Sequence, residues 1–228
     1  MQPVQNIVFD FGNVLFDLDL ASIGREIQKL VGPRYEDVYR QLRQGRVFEL
    51  YETGGLSIEE FIDAIRFAGD ATLSPEQITA AWNSIFIGMP RERFDMLLQL
   101  RRQYKVFLLS NINDLHATWI DAYMVREHGI PDFQSRYFDG VYYSHLIRLR
   151  KPNADIYEYL LADAELAPEE TVFIDDLEEN VAAAERLGIH GVVKTPELDI
   201  MAWMGGFINN PSRTAPAQNH GLSTLIPG

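Results

Sequence analysis

The chain has 228 residues, of which 46% are hydrophobic and 11% aromatic, a composition that can supply a packed globular core. Its net charge is −13 and it has no basic block, which disfavours nucleic acid and anionic membrane surfaces as partners. The absence of cysteine excludes disulfides, thiolate nucleophiles and zinc–thiolate sites. No apolar run approaches the roughly 20 residues that cross a bilayer. We therefore expect a cytoplasmic protein without a membrane segment.

Short apolar runs rich in β-branched and aromatic residues predict five strands. They are residues 7–9, 106–109, 140–143, 171–174 and 191–193. From about residue 90 onward these runs alternate with helical patterns. Such alternation implies parallel pairing with right-handed crossovers. We predict an α/β fold, a Rossmann-like doubly wound parallel sheet formed by residues 1–17 and 90–206.

The pattern of residues 18–89 predicts an insertion of four helices without a strand. Two of these helices have clear start signals, because Ser57 and Glu60 match a capping box and Ser74 precedes Pro75. An insertion at this place would lie above the first strand's end as a cap, where it could exclude water and contact a substrate. A purely structural role for the insertion is the alternative.

The last part of the chain changes in composition. The stretch 209–216 is poor in apolar residues and rich in turn formers. We predict a flexible C-terminal tail over residues 207–228. The sequence contains no indication of oligomeric state.

The first strand leads directly into Asp10, and Gly12 follows two residues later. Open α/β sheets bind their ligands at the carboxyl ends of the strands. A glycine here permits a tight turn whose backbone can approach an oxyanion. A lone aspartate after an apolar run is more often a turn residue or a helix cap, so the significance of Asp10 depends on the segments that follow.

Ser110 and Asn111 close a second apolar strand. A hydroxyl, a side-chain amide and main-chain amides at a helix start are the donors that a phosphoryl group requires. The alternative is that these residues cap the next helix. Because Asn113 or Asp114 can cap that helix, we expect Ser110 and Asn111 to remain free.

Lys151 precedes Pro152, so its ammonium should project from a rigid, non-helical loop. In isolation it resembles a solvated surface lysine. Next to a carboxylate and a phosphate dianion, however, a cation would offset their mutual repulsion.

Asp175 and Asp176 are adjacent acids at the end of a strand and repel each other unless a cation lies nearby. Oxygen-only ligands favour Mg²⁺ over zinc. The histidines show no metal-ligand spacing; they are His116, His128, His145, His190 and His220. Asp17 and Asp19 also follow an apolar run, but a helical pattern begins directly after them, so we assign them to the entry into the cap.

In this order, and with a helical insertion after the first, these motifs resemble the haloacid dehalogenase (HAD) superfamily of aspartate-nucleophile hydrolases. The stretches around Asp10, Ser110 and Asp175 look most like the branch that contains bacterial α-D-glucose-1-phosphate phosphatase. The resemblance extends to about Trp203. It implies an HAD core with a cap domain.

Carried over to this chain, the resemblance implies that Asp10 attacks phosphorus, that Ser110 and Asn111 hold the transferring phosphoryl group, and that Lys151 screens charge. It also implies a Mg²⁺ cofactor, bound by Asp10, by the main-chain carbonyl of Gly12 and by Asp176. Asp175 and Asn180 would not bind the metal directly but would orient the residues that do.

Gly12 departs from the pattern of the superfamily's phosphatases, which usually carry a second aspartate there as general acid and base. Loss of a general acid typically costs a factor of about 10² to 10⁴. An ester at an anomeric carbon needs less proton assistance, which suits a sugar phosphate.

We predict a Mg²⁺-dependent phosphatase that acts on a small-molecule phosphate ester, such as glucose 1-phosphate. One alternative is a 2-haloacid dehalogenase-type hydrolase in which Asp10 attacks carbon. Another is a non-catalytic phosphate-binding module, with Gly12 marking lost hydrolysis. Plausible substrate contacts in the cap are Arg43, Arg46, Glu49, Tyr51 and Trp82.

Overall fold

The structure, a computed structural model, describes residues 3–210. In chain order its strands are β1 (Asn6–Phe9), β2 (Asp17–Leu18), β3 (Phe86–Gly88), β4 (Lys105–Ser110), β5 (Gly140–Tyr143), β6 (Thr171–Asp175) and β7 (His190–Val193). Five of them pair in the order β5-β4-β1-β6-β7. Every pairing in this sheet is parallel. The five predicted strands are therefore confirmed, each to within one residue at either end.

Helices cover both faces of this sheet. In chain order the α-helices are α1 (Ser22–Val31), α2 (Tyr35–Gln44), α3 (Val47–Glu52), α4 (Ile58–Ala68), α5 (Pro75–Asn83), α6 (Arg91–Leu100), α7 (Asp114–His128), α8 (Phe133–Tyr137), α9 (Ser144–Ile147), α10 (Ala154–Asp163), α11 (Glu178–Glu185) and α12 (Ile200–Ile208). Ile7 and Phe9 of β1 pack into a core with residues of α6, α7, α8 and α12. Val8, which points the other way, packs with residues of α10 and α11. Burial on both faces explains the continuous apolar runs of the strands and confirms a doubly wound α/β fold.

The insertion between β1 and β4 has a hydrophobic core of its own, which includes Phe61, Ile65, Ile78 and Trp82. The predicted capping box is present at the start of α4, and α5 begins at Pro75 as predicted, with a capping box formed by Ser74 and Gln77. The prediction of four helices is wrong, because five α-helices, α1 to α5, precede β3. The six-residue α3 is too short to show a clear helical period.

The expectation that the insertion contains no strand is also wrong. β2 and β3 form a small antiparallel pair at the two points where the chain leaves and re-enters the α/β core. With two and three residues, these strands cannot display an alternating pattern. The division into a core and a cap at residues 18–89 stays a proposal, and the β2–β3 pair lies at its boundary.

The C-terminal helix α12 extends past residue 207 and ends at Ile208. Phe207 is buried in the core, and its carbonyl accepts a hydrogen bond of 3.1 Å from the Tyr104 hydroxyl. The predicted tail therefore begins too early, because residues 207 and 208 complete an apolar helix. Residues 211–228 of that predicted tail lie outside the described residues. Within residues 3–210, no helix is long and apolar enough to span a membrane.

Candidate active site

Three adjacent strands deliver the predicted site residues to one edge of the sheet. Asp10 directly follows β1, Ser110 ends β4 and Asp175 ends β6. In the register of the sheet, Phe9 is paired with Leu108 on one side and with Ile174 on the other. The carboxyl ends of the three strands therefore meet at the same level, which is the position expected for a ligand site in an open α/β sheet.

Asp10 is buried and paired with a lysine. Its Oδ1 accepts a hydrogen bond of 2.6 Å from Lys151 Nζ, and its N–H donates to the Ile174 carbonyl at 2.8 Å. Burial raises the pKa of Asp10 to about 7, with Lys151 opposing this shift and Asp175 adding to it. The Phe11 backbone, which hydrogen-bonds the Asp10 carboxylate, also opposes the rise in its pKa.

Lys151 is almost completely buried, and three acceptors surround its ammonium. Nζ donates to Asp10 Oδ1 and Asp175 Oδ2, each at 2.6 Å, and to the Leu109 carbonyl at 2.9 Å. Burial alone would lower the pKa of Lys151, but the charges of Asp10 and Asp175 outweigh it, so this pKa is raised. The lysine is therefore a fixed cation between two carboxylates, and not a solvated surface group.

Asn111 holds the backbone of Lys151. Its Nδ2 donates to the Lys151 carbonyl and its Oδ1 accepts from the Lys151 N–H, both at 2.9 Å. The expectation that Asn111 is not used to cap the next helix is confirmed, because Asn113 caps α7. The Asn111 side chain is not idle, however, since it holds the loop that carries Lys151. The Ser110 hydroxyl makes no hydrogen bond within residues 3–210 and lines the cavity described below. Contacts of Ser110 and Asn111 with a substrate stay predictions.

Asp175 is fully buried, and three donors orient it. Besides Lys151, the Leu177 N–H and Asn180 Nδ2 both donate to its Oδ1 at 2.9 Å. Asp176, in contrast, is half-buried, and its Oδ2 accepts a single hydrogen bond of 2.9 Å, from Asn13 Nδ2. Asp175 is thus held more firmly than Asp176; the orienting role of Asp175 and Asn180 and the ligand role of Asp176 stay predictions.

The carboxylates of Asp10, Asp175 and Asp176, hereafter the acid cluster, each offer an oxygen atom, and these atoms lie within 4.8 Å of one another. Burial raises the pKa of Asp176, to which Asp175 also contributes. Three carboxylates this close repel one another unless cations compensate them. A donor set of oxygens alone suits Mg²⁺. The described histidines take no part in this cluster, as expected, and His220 lies outside the described residues.

A cavity of about 340 Å³ opens beside the acid cluster and includes Gly12 in its lining. Its cap wall, defined as the lining residues that β2, β3 and the insertion supply, consists of Leu18, Leu20, Ile23, Glu52, Trp82, Ile85 and Phe86. The insertion therefore closes one side of the cavity, as predicted. Apart from Glu52, the cap wall is apolar or aromatic.

Among the five cap residues suggested from the sequence, only Trp82 is part of the lining within the described chain. Arg46 and Glu49 form an exposed ion pair of 2.5 Å. Arg43 lies over the Tyr39 ring. The Tyr51 hydroxyl is buried and donates to Asp114. These residues stabilise the cap or its surface and do not contact the cavity.

Sequence reasoning missed many residues of the lining, among them Asn13, Leu18, Glu52 and Arg150. Leu18, Glu52 and Arg150 line the cavity without any motif to mark them. Asn13 has a φ of 54° and donates to Asp176. Of these four, only Asn13 carried a detectable signal, since asparagine after glycine in a tight turn favours the left-handed region.

The remaining acids near the start of the chain lie outside the lining. Asp17 pairs with Arg93 at 2.7 Å, and Asp19 pairs with Arg25 at 2.5 Å. Asp19 also accepts a hydrogen bond from the Ala21 N–H just before α1. Both acids therefore belong to the entry into the cap, as predicted.

Comparison with known proteins agrees with this geometry. Residues 4–188 match the family of haloacid dehalogenase-like hydrolases. The chain is 30% identical over 185 residues to D-ribitol-5-phosphate phosphatase of Bacteroides thetaiotaomicron, which covers 81% of this chain and 89% of that protein.

Two solved structures of haloacid dehalogenase-like proteins are also similar to this chain. The HAD family enzyme BT-2542 of Bacteroides thetaiotaomicron, in complex with magnesium and inorganic phosphate, has a TM-score of 0.75 at 34% identity and covers 86% of this chain and 96% of that one. An HAD-like family hydrolase of Porphyromonas gingivalis has a TM-score of 0.78 at 33% identity, covering 90% and 98%. The chain thus belongs to the haloacid dehalogenase-like hydrolases, and the predicted superfamily is confirmed.

Proposed function

We propose that this protein is a Mg²⁺-dependent phosphatase that hydrolyses a small sugar or polyol phosphate through an aspartyl-phosphate on Asp10. One observation carries the proposal. Lys151 Nζ lies 2.6 Å from both Asp10 and Asp175, within a group of three carboxylates whose oxygens approach to 4.8 Å. A nucleophilic carboxylate, a fixed cation and an oxygen-only metal site are the parts that transfer of a phosphoryl group to aspartate requires.

The chain's own residues have distinct tasks in this reaction. Oδ2 of Asp10 attacks phosphorus, while Lys151 holds Oδ1 and screens the charge of the incoming phosphate. The Ser110 hydroxyl and the amides near Asn111 bind the phosphoryl oxygens. Asp10, Asp176 and the Gly12 carbonyl would hold Mg²⁺, and Asp175 and Asn180 would orient the site. When bound, Mg²⁺ neutralises charge on the transferring phosphoryl group.

The comparisons support a polyol phosphate as the substrate class. The relative that is 30% identical is a D-ribitol-5-phosphate phosphatase, and the structurally similar BT-2542 enzyme binds magnesium and inorganic phosphate. A cavity of about 340 Å³ suits a ligand of that size. D-Ribitol 5-phosphate is therefore the first substrate to test.

Glucose 1-phosphate is the second candidate, and Gly12 is the observation that favours it. An anomeric leaving group needs less proton assistance than a primary alcohol does, and Gly12 supplies none. A dehalogenase role is disfavoured, because attack on carbon does not require a cluster of three carboxylates beside the nucleophile.

The test is an assay of phosphate release from D-ribitol 5-phosphate, glucose 1-phosphate and related esters, with Mg²⁺ or with a chelator. We expect turnover that depends on Mg²⁺ and that Asp10→Asn lowers by a factor on the order of 10⁴ or more. Asp19→Asn is the matched control, because it removes an acid that lies outside the cavity lining.

Three outcomes of this assay differ in meaning. Phosphate release abolished by chelator and by Asp10→Asn supports the proposal. Halide release from 2-haloacids without metal indicates a dehalogenase instead. Lack of turnover on any ester, with Mg²⁺ binding intact by calorimetry, indicates a phosphate-binding module.

A further inference from the structure

The cavity lacks a proton donor beside Asp10, and the fold fills the place where one would stand. Gly12 has no side chain, and a Cβ atom built on it would lie 2.7 Å from Leu18 Cδ1. Leu18 belongs to the cap wall, so an apolar side chain covers this part of the cavity. Release of an alkoxide from phosphorus requires a proton. Water or another lining residue therefore supplies it.

Most polar groups of the lining are already engaged. All three protons of Lys151 are donated to fixed acceptors. His116 has both ring nitrogens in hydrogen bonds, Nδ1 with Asn113 Nδ2 at 3.2 Å and Nε2 with the Trp82 carbonyl at 3.1 Å. Burial lowers the pKa of His116 to about 4, so its ring is neutral near pH 7. These two residues therefore have no proton to give.

Glu52 is the one carboxylic acid of the lining, within the described residues, that stands apart from the acid cluster. It is the last residue of α3, and its Oε2 lies 3.1 Å from Arg150 Nη2. Arg150 directly precedes Lys151, so this ion pair, hereafter the seam pair, connects the cap to the loop that carries the catalytic lysine. Both side chains of the seam pair are 31% exposed, which leaves them access to the cavity.

The backbone around Glu52 is fixed against the core. The Glu52 carbonyl accepts a hydrogen bond of 2.6 Å from Ser144 Oγ. Two residues later Gly54 has a φ of +65°, and a side chain there would collide with the His145 carbonyl. The chain turns away from α3 at this point in close contact with α9. Glu52 therefore has a defined position above the site.

Two further properties suit Glu52 to proton transfer. Burial raises its pKa, with Arg150 opposing the shift and Glu49 adding to it, so the neutral acid persists to higher pH. In addition, Arg150 Nε is buried and has no hydrogen-bond partner within the described residues. Buried donors are seldom left unpaired, so the Arg150 guanidinium is only partly satisfied by its pairing with Glu52.

We propose that Glu52 is the general acid and base of this enzyme, in place of the side chain that Gly12 lacks. The proposal rests on the phosphatase function proposed above. As Oδ2 of Asp10 bonds to phosphorus, the bond from phosphorus to the leaving oxygen breaks and that oxygen takes the Glu52 proton. The Glu52 carboxylate then takes a proton from the water that attacks the aspartyl-phosphate. Phosphate leaves, and Asp10 and neutral Glu52 are restored.

The experiment compares Glu52→Gln with wild type on two esters in the presence of Mg²⁺. On D-ribitol 5-phosphate, or on whichever alkyl ester the wild type turns over, kcat should fall by a factor of about 10² to 10⁴. On p-nitrophenyl phosphate the leaving group departs without a proton. We therefore expect a rapid burst of about one nitrophenolate per active site, followed by slow turnover, because the aspartyl-phosphate forms but lacks its base.

Glu36→Gln is the matched control, since Glu36 is an exposed acid of α2 in the same cap and lies outside the cavity lining. It should behave as the wild type on both esters. Unchanged melting temperatures establish that both variants are folded.

Equal losses on both esters without a burst, or a change in KM alone, would falsify the proposal and make Glu52 a positioning residue. Unchanged kinetics of Glu52→Gln would overturn it as well. Failure of the proposed function is distinct from these results, because the wild-type enzyme itself would then release no phosphate from any ester.

Discussion

The acid cluster and the cap wall face each other across one cavity, yet they differ in how completely their polar groups are paired. Lys151 and Asp175 each have three hydrogen-bond partners, and both are buried. On the opposite side, Glu52 has a single ionic partner and Arg150 Nε has no partner within the described residues. The difference teaches that the sheet edge fixes the acid cluster and Lys151 in a fully paired network, whereas the boundary between cap and core leaves polar groups only partly paired.

The largest expected effect comes from Lys151→Met, which removes the cation that pairs with the acid cluster. This variant leaves Asp10 and Asp175 buried without their cation, so we expect the free energy of unfolding to fall by about 3–5 kcal/mol. Urea unfolding in a buffer with chelator measures it. Lys105→Met, at an exposed position of β4, is the control and should change stability by less than about 0.5 kcal/mol.

The pH dependence of the stability lost in Lys151→Met tests whether uncompensated charge is its cause. Without Lys151, the pKa of Asp10 rises further above its value in the unfolded chain. A group whose pKa is raised on folding stabilises the protein below its unfolded pKa and loses this contribution as pH rises through its folded pKa. The deficit of Lys151→Met should therefore shrink as the pH is lowered from 8 toward 5. A deficit that is constant with pH would show that lost packing, and not uncompensated charge, is its cause.

The positions of the acid cluster and Ser110 could be predicted from the sequence, because they depend only on where the strands lie and end. Strands buried on both faces appear as continuous apolar runs, and parallel strands place their carboxyl ends at one edge of the sheet. Asp10, Ser110 and Asp175 therefore come together without knowledge of the loops. The orientation of Asn111 toward the Lys151 backbone did not follow, since it depends on how two loops from distant parts of the chain meet.

The cap wall could not be predicted in the same way. Glu52 lies at the end of a six-residue helix, and its contact with Arg150 depends on how the cap rests on the core. Leu18 lies in a two-residue strand, which is too short to have a period. Arg43 and Arg46 seemed equally suited to contact a substrate, yet they lie on the outer surface. Tertiary placement, which no periodicity encodes, decides between them.

A smaller effect is expected at His116, where the core helix α7 contacts the cap. The His116 ring stacks on Trp82 with centroids 5.3 Å apart, and its pKa is lowered to about 4. A histidine whose pKa is lowered on folding destabilises the protein as pH falls below its unfolded pKa of 6.5. His116→Gln keeps polar atoms at this position but cannot titrate.

We therefore expect the free energy of unfolding of the wild type to decrease more steeply between pH 6.5 and 4 than that of His116→Gln. The difference accumulated over this range should be between about 1 and 3 kcal/mol. Urea unfolding at a series of pH values measures both curves. Parallel curves would mean that His116 is as easily protonated in the folded protein as in the unfolded chain.

The smallest expected effect is at Gly12, which lies next to Leu18 of the cap wall. A methyl group at this position would lie 2.7 Å from Leu18 Cδ1, the flexible end of a side chain that can move away. Gly12→Ala should therefore cost about 1 kcal/mol or less. Gly205→Ala, where a methyl group has no neighbour within 4 Å in α12, is the control and should stabilise the protein by about 0.5–1 kcal/mol.

A double-mutant cycle can isolate the contact between position 12 and Leu18. Leu18→Ala removes the atom that a methyl group at Gly12 would meet, so the cost of Gly12→Ala should vanish in the Leu18→Ala background. Additive effects would show that Gly12 is required for its backbone and not for the space below Leu18. A coupling energy instead would show that Leu18 of the cap wall occupies the space that a side chain at position 12 would need.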